Sequence, residues 1–388
     1  MSTPADLDPT VLDDQAEVVA RDPGEMLRIT ASAGAQVREA LLRLDADAVA
    51  RVLADGRPRA LVVAGTGASA LAGDVLTAVT GPACSVPVMT CRGHRLPGWT
   101  GAMDIVLAVS TTGETEETLA ATDEALRRGA RVVTVGRPGT SLARRAEAGR
   151  AVHVPIETGG RPPRASLWAV ATPLLVLADG LGLADVPEAL LSSVADELDQ
   201  TAMRCGPAAE VYENPAKQLA LALSGTLPHI WGASELATVA ALRLSHQLVL
   251  NAKLPSVHGA LTDVHHHQVA ALAGRYGAGG SAGEADVTAD IFHDPLLDGP
   301  PRERLRILLL RDTVELPAVT RAADATERVA DQYGVAVQQL RATGEHPLER
   351  LASLLAPLDF ASVYLALLEH TDPTPVDPIV TLRKVRDT

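Results

Sequence analysis

Four hydroxyl side chains fall within six positions, at Ser110, Thr111, Thr112 and Thr115, where the apolar run Ile105–Val109 ends and a glutamate-bearing helical stretch begins. Hydroxyls and unpaired backbone N–H groups at a helix mouth favour an anion, and the helix dipole adds partial positive charge there. The same residue types also serve as ordinary helix caps, so this stretch alone reads equally as an N-cap or as a phosphate cradle. A second small-residue turn, Gly65-Thr-Gly-Ala-Ser-Ala-Leu-Ala-Gly-Asp74, follows another apolar run. Its glycines miss the dinucleotide fingerprint, because position 70 is alanine. No Asp or Glu stands in 84–92, where a ribose-holding acid belongs. A sugar phosphate held between two hydroxyl-rich turns suits these residues better.

Gly159-Gly-Arg-Pro-Pro-Arg164 is a stiff, basic loop. Its Arg164 reads either as a solvated charge or, held over a phosphosugar, as a stabiliser of negative charge developing on oxygen. His265, His266 and His267 are adjacent, with His258 nearby. Neighbouring side chains diverge in a regular strand or helix, so three consecutive histidines do not converge on one ion. No metal and no cofactor is expected. The chain has only three lysines, Lys217, Lys253 and Lys384, against 31 arginines. Positions that keep lysine in so biased a chain deserve notice.

These groups need a frame, and the sequence supplies one. Residues 1–55 carry helical spacing, with Leu41, Leu42, Leu44, Val49 and Val52 on one face, and predict a helical lead-in. Strands are expected at 60–64, 86–90, 105–109, 131–135 and 151–154, with helices between them, as in 116–128 and 165–181. Uninterrupted β-branched runs are what a parallel strand covered on both faces requires. The second half repeats the alternation, with strands at 228–232, 307–310 and 335–339 and a long helix over 235–253. The fold class is therefore α/β, with parallel sheets flanked by helices and ligands beyond the carboxyl ends of the strands. Gly277 to Pro301, rich in Gly, Asp and Pro, predicts a flexible excursion.

Composition narrows the classes of partner. A net charge of −14 argues against a nucleic-acid backbone or an anionic membrane surface. Three cysteines, Cys84, Cys91 and Cys205, without metal spacing suggest a reducing compartment. The acidic start lacks the basic and apolar regions of a signal peptide, and no apolar run reaches the roughly 20 residues of a membrane span. A cytoplasmic protein is expected.

The two turns, with Pro163-Arg164, resemble the sugar isomerase (SIS) fold. More closely, they are similar to the bifunctional phosphoglucose/phosphomannose isomerase family, a likeness continued by Arg243-Leu-Ser-His-Gln-Leu-Val-Leu-Asn-Ala-Lys253, His266 and the tail from Asp372 to Lys384. The resemblance implies two tandem SIS domains, 56–205 and 206–388, after the 1–55 lead-in. It also implies a homodimer whose site is completed partly across the subunit interface. It places Gly67 and Ser69 on the first sugar-phosphate turn, and Ser110, Thr112 and Thr115 on the phosphate-binding hydroxyls. Arg164 falls on the residue that stabilises the enediolate, His266 on the one that assists ring opening, and Lys384 (or Arg383) on the family's C-terminal lysine.

The chain departs from that pattern at two positions of consequence: the family's C-terminal lysine aligns with Arg383, with Lys384 one residue later, and the general base is missing. The family's general base is a glutamate in Glu-Asn-Ala-Lys, and this chain reads Leu250-Asn-Ala-Lys253. Leucine cannot carry a proton between C1 and C2. His246, four residues earlier on the expected helix, is the substitute candidate, with Asp263 and His267 behind it. Two functions follow. One is an aldose-ketose isomerase acting on glucose 6-phosphate or mannose 6-phosphate; the other is a phosphosugar-binding sensor or partner that has lost proton transfer.

Overall fold

The computed structural model describes residues 9–277 and 304–386. The Gly277 to Pro301 excursion therefore lies, from 278 onward, outside the described residues. The chain divides into two compact units. One comprises Ala31–Gln200 with His346–Ala352; the other comprises Met1–Thr30, Thr201–Glu345 and Ser353–Thr388.

Four helices open the chain: α1 (Gln15–Arg21), α2 (Met26–Ala31), α3 (Ala33–Arg43) and α4 (Ala46–Leu53). The first alternating set follows as β1 (Leu61–Ala64), α5 (Ala68–Thr80), β2 (Val88–Cys91), β3 (Ile105–Ser110), α6 (Glu116–Arg127), β4 (Arg131–Gly136), α7 (Ser141–Ala148) and β5 (Val152–Pro155). Then come α8 (Leu167–Gly180) and α9 (Glu188–Arg204). The five strands form one parallel sheet in the order β2-β1-β3-β4-β5. β1 and β3 are central and wholly buried, which is why both read as unbroken apolar runs. β2 is an edge strand, half-buried throughout, and starts two residues later than expected. α3 and α4 pack on α8 within this unit and bury Val52, but Leu42, expected on the same apolar face, is 87% exposed.

The second set comprises α10 (Pro215–Leu223), β6 (Thr226–Gly232), α11 (Glu235–Gln247), β7 (Val257–Ala260), α12 (Leu261–Val264), β8 (Arg304–Arg311), α13 (Pro317–Gln332) and β9 (Ala336–Arg341). The chain ends in α14 (Pro347–Leu368) and α15 (Asp377–Arg386). Its parallel sheet has the order β7-β6-β8-β9. Each sheet starts at an inner strand, crosses to one edge and returns past the start, so the two halves share a winding that no sequence repeat displays. β7 was absent from the sequence reading, because Val-His-Gly-Ala at an edge offers no apolar run. The helix expected over 235–253 ends at Gln247 and continues as a π-turn, Leu248–Ala252. α14 is long and apolar enough to cross a bilayer by composition, but 94% of its apolar window is buried, as in a core helix.

Lys217 has no exposed surface. Its Nζ donates to Asp13 Oδ1 and to the Pro207 carbonyl, both at 3.2 Å, and lies 5.7 Å from the centre of the Tyr364 ring. It therefore ties the N-terminal segment into the second unit. A buried ammonium is tolerated only with such partners.

Burial depresses the pKa of His153, His229, His258, His265 and His346. Such groups stay neutral in the fold and take up protons on unfolding, so their contribution is complete above about pH 6.5 and is lost as pH falls below it. The urea midpoint should accordingly drop between about pH 6.5 and 5. His229, 5% exposed with Nδ1 unpartnered, should carry up to about 1.4 kcal/mol per pH unit of that slope. An unchanged slope in His229→Leu would remove it from the account.

Candidate phosphosugar site

In the first sheet the strand order reverses between β1 and β3, which puts a crevice beyond their carboxyl ends. Both hydroxyl-rich turns open there. Gly65 donates its N–H to the Cys91 carbonyl at 3.1 Å, and a Cβ at Gly65 would stand 3.0 Å from the Val109 carbonyl. The two turns are thus adjoining, and glycine is what permits the approach. Gly67 begins α5 with φ +55°, a conformation that disfavours any side chain, and Ser69 lies buried in the first turn of the helix.

The second turn brings three hydroxyls together. Ser110 Oγ lies 2.9 Å from Thr115 Oγ1 and 3.4 Å from Thr112 Oγ1, and the two threonine hydroxyls are 3.5 Å apart. Gly113, at φ +69°, adds its N–H to Ser110 Oγ at 3.0 Å. The cluster runs from buried Ser110 through half-buried Thr115 to exposed Thr112, so it faces outward. Thr115 occupies the N-cap of α6 yet makes no side-chain capping bond. Its hydroxyl is turned into the cluster instead, while Thr112 Oγ1 accepts the Glu114 N–H at 3.3 Å. Glu114 is turned away from the cluster by a 2.8 Å bond from the Ser141 N–H. Bonds from Ser141 hold its carboxyl below the usual range.

Arg164 sits on the 3-10 turn Pro163–Ala165, which packs against α5. It is 8% exposed, so the reading as a solvated charge fails. Gln36 Nε2 donates to the Ala165 carbonyl at 2.8 Å and Ser166 Oγ to the Pro162 carbonyl at 3.0 Å, which pins the loop on both sides. Gly67, Ser69, Ser110, Thr112, Thr115 and Arg164 all belong to the first unit.

The remaining candidates belong to the second unit. His246 is exposed in the last turn of α11, and Leu250 is half-buried in the π-turn. A polar row holds that turn. Arg243 makes a two-pronged ion pair with Asp359 at 2.8 and 2.7 Å, Gln247 donates to Asp359 at 3.3 Å, and Asn251 donates to Ser362 at 2.9 Å. Asp359 and Ser362, both on α14, were not foreseen. The available signal was polar residues at 243, 247 and 251, spaced by four along an apolar helix.

The three histidines separate. His265 turns inward, with Nε2 2.8 Å from Thr326 Oγ1 and its ring edge-on to Trp231 at 6.3 Å. His267 Nε2 lies 3.3 Å from Asp263 Oδ2 at the surface. His266 is exposed and makes no side-chain hydrogen bond among the described residues. Arg383 and Lys384 lie on α15, none of whose residues is buried.

Comparison with known proteins agrees with this architecture. Residues 212–385 match the family described as the bacterial phospho-glucose isomerase C-terminal SIS domain. The bifunctional phosphoglucose/phosphomannose isomerase of Caldicellulosiruptor bescii is 28% identical over 323 residues, covering 83% of this chain and 88% of the relative. That of Aquifex aeolicus is 25% identical over 299 residues, covering 77% and 81%. Among solved structures, the C-terminal domain of glucosamine-fructose-6-phosphate aminotransferase from Francisella tularensis superposes with a TM-score of 0.62 at 14% identity, over 89% of this chain and 96% of that one. The chain thus carries a SIS-domain match over residues 212–385 and resembles the bifunctional phosphoglucose/phosphomannose isomerases over most of its length.

Proposed function

We propose that the chain is a phosphosugar aldose-ketose isomerase, interconverting glucose 6-phosphate or mannose 6-phosphate with fructose 6-phosphate in the cytoplasm. The observation that carries this reading is the outward cluster of Ser110, Thr112 and Thr115 hydroxyls, in which Thr115 makes no capping bond, at the reversal point of a parallel sheet. Those hydroxyls would hold the phosphate, with the first turn of α6 adding positive potential. Arg164 would stabilise the oxyanion of a cis-enediol, since a buried guanidinium cannot shed its charge. His266 would assist ring opening, and Lys384 or Arg383 would complete the set. His246 is the candidate for proton transfer, because an imidazole titrates near neutrality.

Leu250 favours a second reading, a phosphosugar sensor or partner that binds without turnover. Its half-buried side chain occupies the place at which the related isomerases carry their base. Both readings require the cradle, so binding tests their common part and proton exchange separates them.

A homodimer accompanies either reading. It is supported by α15, a ten-residue helix that buries none of its residues and leaves Leu382 and Val385 more than two-thirds exposed. Isolated helices of that length are marginal in water, so a covering surface is required. Sedimentation should give a dimer for the natural chain and a monomer for Leu382→Glu.

For the cradle, replacing Thr112 and Thr115 by valine should weaken fructose 6-phosphate binding by about 1–3 kcal/mol in calorimetry. Unchanged affinity would place the ligand elsewhere. For turnover, fructose 6-phosphate in heavy water should gain deuterium at C1, and the aldose formed from it should carry deuterium at C2, in the presence of the natural chain, and His246→Ala should abolish that exchange. Exchange seen only with Leu250→Glu would instead make the natural chain a binder.

A further inference from the structure

Lys253 ends the π-turn in the left-handed region, at φ +59° and ψ +19°. That position after a helix is usually glycine, because a Cβ there costs free energy. A lysine retained at a strained position, in a chain with two others, calls for a role in its side chain. Its Nζ turns back and donates to the Leu250 carbonyl at 2.7 Å and the Asn251 carbonyl at 3.2 Å, and reaches the Asp372 carbonyl at 3.4 Å. The first two are carbonyls of the turn that bears position 250. The third is the root of the C-terminal tail that ends in α15.

That root is held from other sides as well. His370, also left-handed at φ +54°, and Thr371 close the end of α14, and Arg21 Nη1 lies 3.3 Å from His370 Nε2. Asp372 Oδ1 accepts the Thr374 N–H at 2.8 Å, and Thr374 presses on Gly24 so closely that a Cβ there would collide with it. Past Thr374 no residue of α15 is buried. The ammonium of Lys253 therefore joins the tail root to the π-turn.

We infer that Lys253 is a positioning residue: it locks the root of the C-terminal helix, with Arg383 and Lys384, to the turn that carries position 250, so that both are presented in one register. The catalytic consequence rests on the isomerase reading; the mechanical one does not. Lysine suits the task because its three donors can serve three carbonyls from one point, whereas the planar fork of arginine has a fixed geometry.

The test separates the ammonium from the backbone. Lys253→Gly relieves the left-handed strain while removing the charge, and Lys253→Met removes the charge alone. Thermolysin cleavage within 373–386, followed by mass spectrometry, should accelerate about tenfold or more in both variants, with the rest of the chain as resistant as before. Lys253→Arg should restore part of the protection. With fructose 6-phosphate, Lys253→Gly should lower kcat for aldose formation at unchanged KM. Wild-type cleavage rates in Lys253→Gly, together with a raised melting temperature, would overturn the inference and leave Lys253 as a poor helix cap. If the natural chain shows no exchange, the isomerase reading fails by itself, and the cleavage rates still decide the inference.

Discussion

The hydrogen bond between Ser110 and Thr115 is the interaction on which the rest of the first unit depends. In most helix openings a hydroxyl at the N-cap satisfies the helix's own N–H groups. Here Thr115 gives up that role and joins Ser110 at 2.9 Å, which gathers three hydroxyls at one point. The arrangement holds only if its supports are rigid. They are: β3 is buried from Ile105 to Ser110, and Gly113 lies against Thr140 so closely that no side chain could replace its hydrogen. Packing density in such a core leaves little room for the strand to shift. The site is thus set by the sheet, and the turns only finish it.

The second sheet shows what the same winding becomes without that interaction. Its order also reverses between the inner strands, here β6 and β8. At the end of β8, however, the chain places Arg311 in a two-pronged ion pair with Glu315 at 2.8 and 2.6 Å, each side chain 4% exposed. Glu315 Oε1 also accepts the Asp312 N–H at 3.0 Å. Carboxylates in that mouth occupy the donors that an anion would need, and their charge opposes it. Topology therefore offers two crevices, and the buried ion pair sets the chemistry of the second apart from that of the first.

How much of this was legible follows from where the determinants lie. β1, β3, β4 and β6 were readable because burial on both faces imposes local apolar runs. The clustering of Ser110, Thr112 and Thr115 was readable because the glycine and hydroxyls of that turn are contiguous. Edge strand β7 was not, since half-burial at an edge imposes no pattern on four residues. The π-turn was equally hidden, because it is held by Asp359 and Ser362, more than 100 positions away in sequence. Arg164 shows the same limit in a side chain. Pro162-Pro163 predicted a stiff loop, but burial of the guanidinium depends on α5 and on Gln36, which the loop's own sequence does not mention. Local pattern gives the elements and the small-residue turns; the orientation of charged side chains is decided by distant packing.

The polar row behind position 250 bears on the choice between isomerase and binder. A buried Arg-Asp pair such as Arg243–Asp359 is costly to desolvate and is often replaceable by apolar residues without loss of stability. Its presence is therefore poorly accounted for by stability alone. What it does geometrically is fix α11 against α14 through the π-turn, a departure from regular helix that frequently accompanies functional sites. The turn remains built to present a side chain at 250, although the side chain is leucine. On the isomerase reading, leucine at 250 would remove the proton carrier and leave its support standing. Proton transfer in this scaffold then falls to a residue outside the turn, with an imidazole as the natural chemistry, or the support serves to shape an apolar wall for a bound sugar.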